Sequence, residues 1–330
     1  MKSIYTLDPL EFAGLATEPL ARRPSKVRPE DFARPLQRGA RVRDFLRSLP
    51  AILAGLEFRR LVEALRTARR RRKPILWGLG GHVIKTGLAP VLIELMRRGY
   101  VSGIATTGAA LIHDFEIGLA GRTSEDVEAQ LARGRFGLAR ETGLYLNEAA
   151  VAAHRAGIGL GEAAGKLLIH PRLQARHLNV SLLAAAYRRR IPFTVHLGIG
   201  TDIFQMHPSA DGAALGASSY RDFRLFCALV RRLNGGGVYL NLGSAVILPE
   251  VFLKAVAVVR GLPAGASAKA GLGHPLKNFT TANLDFIQHY RPTQNVLQRP
   301  ARALRAQPIA LTGPHELLVP LLAAALLEAP

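Results

Sequence analysis

The chain has 330 residues, nearly half of them apolar, and a formal net charge of +20 that comes mostly from arginine. This size provides a sizeable core in one large domain or two small ones. The single cysteine, Cys227, excludes an intrachain disulfide framework and fits a reducing cytoplasm. Neither a signal-peptide core nor an uncharged apolar stretch long enough for a transmembrane helix is expected.

The N-terminal part of the chain divides into an irregular and a periodic segment. Residues 1–40 are rich in proline and arginine, which predicts an extended arm that wraps a neighbour or stays mobile. Residues 43–72 have helical spacing of apolar residues, with Pro50 starting or kinking a helix. The dense basic run 69–73 is interpreted as a solvated helix end, where cations suit the helix dipole.

A strand–turn–helix–strand pattern follows and predicts one βαβ unit with parallel strands. Its parts, in order, are the apolar run Ile75–Trp77, the glycine turn Gly78–His82, the helix Leu88–Arg98, the cap Gly99 and the strand Val101–Ala105.

The rest of the chain alternates in the same way. A helical insert is predicted at about 115–185, including a helix opened by Thr123. Further strands are predicted at 191–197, 238–242, 279–286 and 308–311, and helices at 222–233 and 316–327. The pattern indicates a doubly wound α/β fold, with residues 41–330 forming a single domain.

Polar residues follow the strands at the ends where open α/β sheets bind ligands. Two such clusters are Gly80–Lys85 and Thr106–Asp114. Glycines let the backbone approach a ligand closely, and free N–H groups at a helix start favour phosphate. The glycine spacing is not a clean dinucleotide fingerprint, so glycines that merely turn the chain remain an alternative.

The polar strand ends resemble those of the deoxyhypusine synthase family, and most closely its bacterial deoxyhypusine synthase-like members. The resemblance spans residues 45–327 and lies in the common order of several short stretches. These are Gly81–Gly87, Thr106–Ala109 with Asp114, Ile191-Pro192 leading to Thr201-Asp202, Gly243–Ala245 and Val319–Leu322.

The resemblance implies a mostly parallel, Rossmann-like NAD-binding fold and a homotetramer. Family enzymes oxidise spermidine with NAD and transfer an aminobutyl group through an imine on a lysine. The implied cofactor-binding residues are Gly81, His82, Thr86, Gly87, Thr106, Thr107, Gly108, Ala109, Asp202, Gly243 and Ser244.

The chain departs from the family where the catalytic lysine belongs. That region reads Gln298-Arg299-Pro300-Ala301-Arg302, without a lysine. Arginine stays protonated and cannot form the imine. Lys85 or Lys277 could replace the missing lysine, although phosphate charge balance is the simpler role for Lys85.

Histidine and aspartate supply the remaining candidate chemistry. His113 and Asp114 could be a base and its orienter near a nicotinamide ring, or could cap the following helix. His196 is a second candidate base. A metal site from His196, His207 and Asp211, with His82, is an alternative without supporting spacing, so no metal is expected.

Three functions from different classes follow. The first is a cytoplasmic NAD-dependent enzyme acting on a polyamine or another amine, as a transferase or a dehydrogenase. The second is a non-catalytic binding protein that kept the fold. The third, a nucleic-acid binder, depends on charge alone and is disfavoured because basic residues are spread out and aromatic residues few.

Overall fold

The computed structural model describes residues 6–262 and 276–328, and its centre is a six-stranded parallel sheet. The strands are β1 Ile75–Leu79, β2 Gly103–Thr107, β3 Phe193–His196, β4 Val238–Leu242, β5 Thr280–Asp285 and β6 Gln307–Thr312. Their order is β3-β2-β1-β4-β5-β6, and every pair is parallel. The order reverses between β1 and β4, which defines a doubly wound, Rossmann-like sheet.

Helices cover both faces of this sheet. They are α1 Val42–Ser48, α2 Leu53–Arg70, α3 Gly81–Lys85, α4 Ala89–Arg97, α5 Gly108–Ala120, α6 Val127–Ala132, α7 Arg140–Ala156, α8 Leu160–Leu168, α9 Leu182–Arg188, α10 Gly212–Arg231, α11 Ile247–Gly261, α12 Arg299–Leu304 and α13 His315–Leu327. A π-helical segment, Pro292–Gln298, precedes α12. The predicted fold class is confirmed.

Two apolar clusters form the core, one on each face of the sheet. The larger includes buried side chains of α2, α4, α5, α7–α9 and α13, and it contains Trp77 of β1. The smaller lies under α10 and α11, where the rings of Tyr239 and Phe252 stack with centroids 4.0 Å apart. Strands that are buried on both faces read as nearly continuous apolar runs, which explains why periodicity located them.

The helical insert predicted at about 115–185 overlaps α5–α9, of which α5 begins already at Gly108. Residues 121–126 are irregular, and α6 begins only at Val127 with Asp126 as its N-cap. The prediction that Thr123 opens this helix is therefore wrong. The Asp126 carboxylate accepts a hydrogen bond from the amide of Ala129, so it caps α6 in place of Thr123.

The described part of the predicted N-terminal arm is almost entirely exposed. It contacts the first helices through two backbone hydrogen bonds, from Arg34 to Ser48 and from Ala51 to Asp31. Apolar side chains in it face solvent, including Leu7 and Phe12. Residues 1–5 lie outside the described residues, and the boundary near residue 40 stays a prediction.

None of the helices in the two described ranges combines the length and the apolar character needed to cross a lipid bilayer.

Candidate active site

The backbones that follow β1 and β4 touch at the point where the strand order reverses. The amide of Gly80 donates a hydrogen bond to the carbonyl of Leu242. A Cβ atom added to Gly80 would lie 1.9 Å from the carbonyl oxygen of Gly243. Gly243 itself has a φ of 63°, which favours glycine. Glycine is therefore required here by contact between two loops, at the place where such sheets bind ligands.

The start of α5 lies beside this point and carries a buried carboxylate. A Cβ atom added to Gly108 would lie 2.2 Å from Cγ of Asp202, so the carboxyl group rests directly on the first residue of α5. Asp202 is 8% exposed, and burial raises the pKa of its carboxyl group to about 6. A carboxyl group with a raised pKa at the start of a helix beside the strand-order reversal is a candidate ligand contact.

His113 forms the next part of the site and is held by a chain of hydrogen bonds. Its Nδ1 lies 2.7 Å from Oγ1 of Thr123, and that hydroxyl donates to Oε2 of Glu116 at 2.5 Å. Because the hydroxyl hydrogen is used on Glu116, Thr123 accepts from His113, and the ring proton belongs on Nδ1. Thr142 donates to the other Glu116 oxygen at 2.8 Å. Nε2 of His113 is thereby left as an acceptor.

The His113 ring lies against the glycine turn after β1. A Cβ atom added to Gly81 would lie 3.3 Å from Cδ2 of His113 and 3.3 Å from Cβ of Ala109. Burial, and then the charge of Lys85, lower the pKa of His113 to about 4. At neutral pH the ring is therefore uncharged and able to accept a proton.

On the other side of the strand-order reversal lies a histidine that the sequence patterns did not identify as a candidate. His315, at the start of α13, is fully buried, and its Nε2 lies 3.0 Å from the carbonyl oxygen of Leu284 and 3.9 Å from Oδ1 of Asp285. Its Nδ1 has no partner among the described residues. The exposed ring of His82 lies 5.4 Å from it. The signal in the sequence that could have identified His315 is its position shortly after the end of β6.

Two predicted catalytic residues have other surroundings. Asp114 accepts hydrogen bonds from the hydroxyl of Ser181 and the amides of Leu182 and Leu183, so it caps the start of α9 rather than orienting His113. His196 is 4% exposed, contacts the hydroxyl of Thr194 and packs edge-on against Phe226. Both residues are buried in the core.

The predicted cofactor-binding residues lie at or after the carboxyl ends of strands, but several of their side chains already have hydrogen-bond partners. The hydroxyl of Thr106 donates to the carbonyl of Thr194 in the core. Thr107 caps α5, Ser244 caps the first turn of α11, and Thr86 donates to the carbonyl of His82. Gly87 has a φ of 76° and lies in open space. These positions offer backbone rather than side-chain contacts.

The two candidate lysines lie at opposite edges of the sheet, and several candidate metal ligands have other hydrogen-bond partners. Lys85 is exposed at the end of α3, beside the crevice, whereas Lys277 precedes β5 at the opposite edge of the sheet. His207 pairs with Ser209, and Asp211 caps α10. Within residues 6–262 and 276–328, no three His, Cys, Asp or Glu side chains form a group that could hold a metal ion.

Comparison with known proteins gives structural matches alone. No family model and no curated protein sequence matches the chain. A LOR/SDH-type protein from Methanococcus maripaludis S2 superposes with a TM-score of 0.51 at 17% identity, covering 83% of this chain and 70% of its own. AgrE, solved with ornithine and NAD+, superposes with a TM-score of 0.51 at 17% sequence identity. The match covers 82% of this chain and 32% of AgrE.

A third structure, described as a deoxyhypusine synthase from Entamoeba histolytica, covers 89% of this chain and 95% of its own. Its TM-score is 0.47 at 12% identity, which is too low to carry an argument. The first two matches show the fold alone, and the chain spans about a third of the length of AgrE.

Proposed function

We propose that the protein is an NAD-dependent enzyme that oxidises an amine, with its active site at the strand-order reversal. The observation that carries the proposal is the Gly80–Gly243 contact, where the backbones that follow β1 and β4 meet at the strand-order reversal, with the neutral His113 against the same glycine turn. Backbone that can approach a ligand closely at this point is the feature by which such sheets bind dinucleotides.

The surrounding residues fit a bound dinucleotide. Gly81 and Gly108 offer backbone without side chains, and Asp202 offers a carboxylate acceptor to ribose hydroxyls or a carboxamide. Bound NAD would supply an acceptor for the hydride that leaves the amine carbon. The match to AgrE, whose structure holds ornithine and NAD+, supports the choice of cofactor and an amino-group substrate.

The chain's own part in the reaction is proton transfer and orientation. In amine oxidation the carbon loses a hydride while its nitrogen loses a proton, and an imine remains. Nε2 of His113 takes that proton, because Thr123 and Glu116 hold the ring with Nδ1 protonated. Burial, and secondly the charge of Lys85, lower the pKa of His113, so the ring is uncharged before the reaction.

Group transfer through a protein-bound imine is not part of the proposal. The segment where the family carries its lysine forms the π-helical turn and α12, where Arg299 donates to Asn295 and Arg302 to Gln298. Borohydride trapping with a radiolabelled polyamine and NAD should leave the protein unlabelled. A label on Lys85 would instead identify a displaced nucleophile and a transferase.

A homotetramer in the cytoplasm, with active sites at subunit interfaces, completes the proposal. The apolar side chains on the exposed arm support it, since Leu7 and Phe12 would be covered by a neighbouring subunit. Light scattering that gives a monomer mass would remove this part alone.

The deciding experiment is cofactor binding by calorimetry. Trp77 is the single tryptophan and lies in β1, next to the crevice, so energy transfer from Trp77 to NADH reports binding independently. We expect binding with micromolar affinity. No heat and no energy transfer at millimolar NAD would refute the proposal and leave a non-catalytic binding protein as the better reading.

A further inference from the structure

The edge of the sheet opposite the crevice carries a row of cations that the spread of basic residues along the sequence conceals. In a parallel sheet, every strand begins at the same edge. Each of the six strands is preceded by cationic residues, and we call this set the basic face. Its members are Arg69–Lys73 before β1, Arg97 and Arg98 before β2, Arg188–Arg190 before β3, Arg231 and Arg232 before β4, Lys277 before β5, and Arg302 and Arg305 before β6.

These side chains are accessible and little neutralised. All are exposed except Lys73 and Arg231, which are half-buried. Within the described ranges, only three of these cations form ion pairs: Arg70 pairs with Glu63, and Arg97 and Arg98 pair with Glu94. Acidic groups such as Asp202, Asp285 and Glu116 lie at the other edge.

Helix dipoles do not account for this number of cations. The dipole favours a cation within the last turn of a helix. Yet Arg72, Lys73 and Arg190 lie beyond the C-cap residues of α2 and α9, so the helix dipoles do not account for them. Arg97, Arg188 and Arg189 also line a cleft of about 430 Å³ together with the amide side chain of Asn179. Concave arginine clusters of this kind bind phosphate groups.

We propose that the basic face binds duplex nucleic acid through its phosphates, without reading base sequence. The cations are arginine except for Lys73 and Lys277, and arginine suits bidentate phosphate contacts. With strands about 4.8 Å apart, the row is about 24 Å long, enough to follow a duplex backbone over several base pairs.

The test uses the full chain and fluorescence anisotropy with a labelled 30-base-pair DNA duplex and an RNA duplex of the same sequence. We expect Kd values of about 1–100 μM at about 0.15 M salt, with a steep dependence of log Kd on log salt concentration. Comparing the two duplexes distinguishes DNA from RNA as the source of the phosphates. Phosphatidylserine vesicles are measured in parallel.

The test variant combines four substitutions: Arg71→Gln, Arg188→Gln, Arg189→Gln and Arg232→Gln. Each replaces a cation that has no ion pair among the described residues. Its matched control joins Arg122→Gln, Arg133→Gln, Arg135→Gln and Arg140→Gln, exposed at the other end of the molecule, with the same change in net charge. The first should bind at least tenfold more weakly, with the salt slope smaller by about 3–4, and the control within about threefold of the parent protein.

Equal weakening of both variants would show that net charge alone acts, and would overturn the proposal. So would no binding at 50 mM salt, or binding to vesicles but not to duplexes. A cooperative thermal transition is required of each variant as evidence that it is folded. If the fourfold variant does not fold, the double variants at Arg71 and Arg232 and at Arg188 and Arg189 are tested separately. NAD binding should be unchanged in every variant, so this result is independent of the proposed catalytic function.

Discussion

Nδ1 of His113 lies 2.7 Å from the hydroxyl oxygen of Thr123, ten residues further along the chain. The Thr123 hydroxyl in turn donates a hydrogen bond to Glu116. This contact converts a partly buried histidine into a base of defined tautomer, because the hydroxyl can donate only one hydrogen. It also shows that Glu116, rather than the adjacent Asp114, orients the ring.

Thr123→Val should remove this orientation without unfolding the protein. We expect the ¹⁵N shifts of His113 to change from a single tautomer with Nδ1 protonated to a mixture. Amine oxidation should fall about tenfold, against about a hundredfold or more for His113→Ala. Thr142→Val is the matched control, because it removes a donor to Glu116 but leaves the contact between Thr123 and His113. An unchanged tautomer in Thr123→Val would contradict the assignment.

Asp202→Ala should weaken cofactor binding while keeping the thermal transition. Because burial raises the pKa of Asp202 to about 6, the carboxylate is lost as the pH falls through this value. NAD binding in the parent protein should therefore weaken below about pH 6. The Asp202→Asn variant should bind weakly at pH 7.5 and change little at pH 5, as calorimetry can show. A lost thermal transition in Asp202→Ala would make the residue structural.

Gly80→Ala should destabilise the fold by forcing apart the backbones that follow β1 and β4. Its Cβ atom would lie 1.9 Å from a backbone oxygen, which cannot move aside as a side chain can. We expect the free energy of unfolding in urea to fall by about 2–3 kcal/mol or more. Gly216→Ala in α10 is the control, since its Cβ atom meets nothing within 4 Å and should stabilise by up to about 1 kcal/mol. Equal stability of the two variants would exclude the Gly80–Gly243 contact.

Protonation of His196 should contribute to acid unfolding. Burial lowers the pKa of His196 to about 3, whereas in the unfolded chain it is about 6.5. The unfolded state therefore binds the proton first, and the stability that neutral His196 provides above pH 6.5 is lost between about pH 6.5 and 3.

His196→Gln removes this dependence. Relative to the parent protein, its free energy of unfolding should rise by about 1–2 kcal/mol between pH 7 and pH 5, measured by urea titration. Thr194→Val removes the partner of His196 without removing the titrating group, so it should keep the parent's dependence on pH. An identical pH dependence in His196→Gln would show that His196 is not a neutral core residue.

Local patterns in the sequence were sufficient to predict the sheet. The run Val238–Leu242 is strand β4 with the predicted bounds, and the predicted closing helix differs from α13 by one residue. Apolar periodicity reports burial, and in this parallel sheet burial covers both faces of the inner strands, whereas the edge strand β6 alternates between buried and exposed residues. The edge at which ligands bind follows from the same pattern, because parallel strands end together.

The direction and partner of each side chain depended on contacts between distant segments. Asp114 and Ser181 are 67 residues apart, and Gly108 and Asp202 meet only after β3 has paired with β2. No local spacing predicts such contacts, so His113–Asp114 was a reasonable pair in sequence but not in space. The basic face has the same origin: arginines scattered along the chain come to one edge because the sheet starts every strand there.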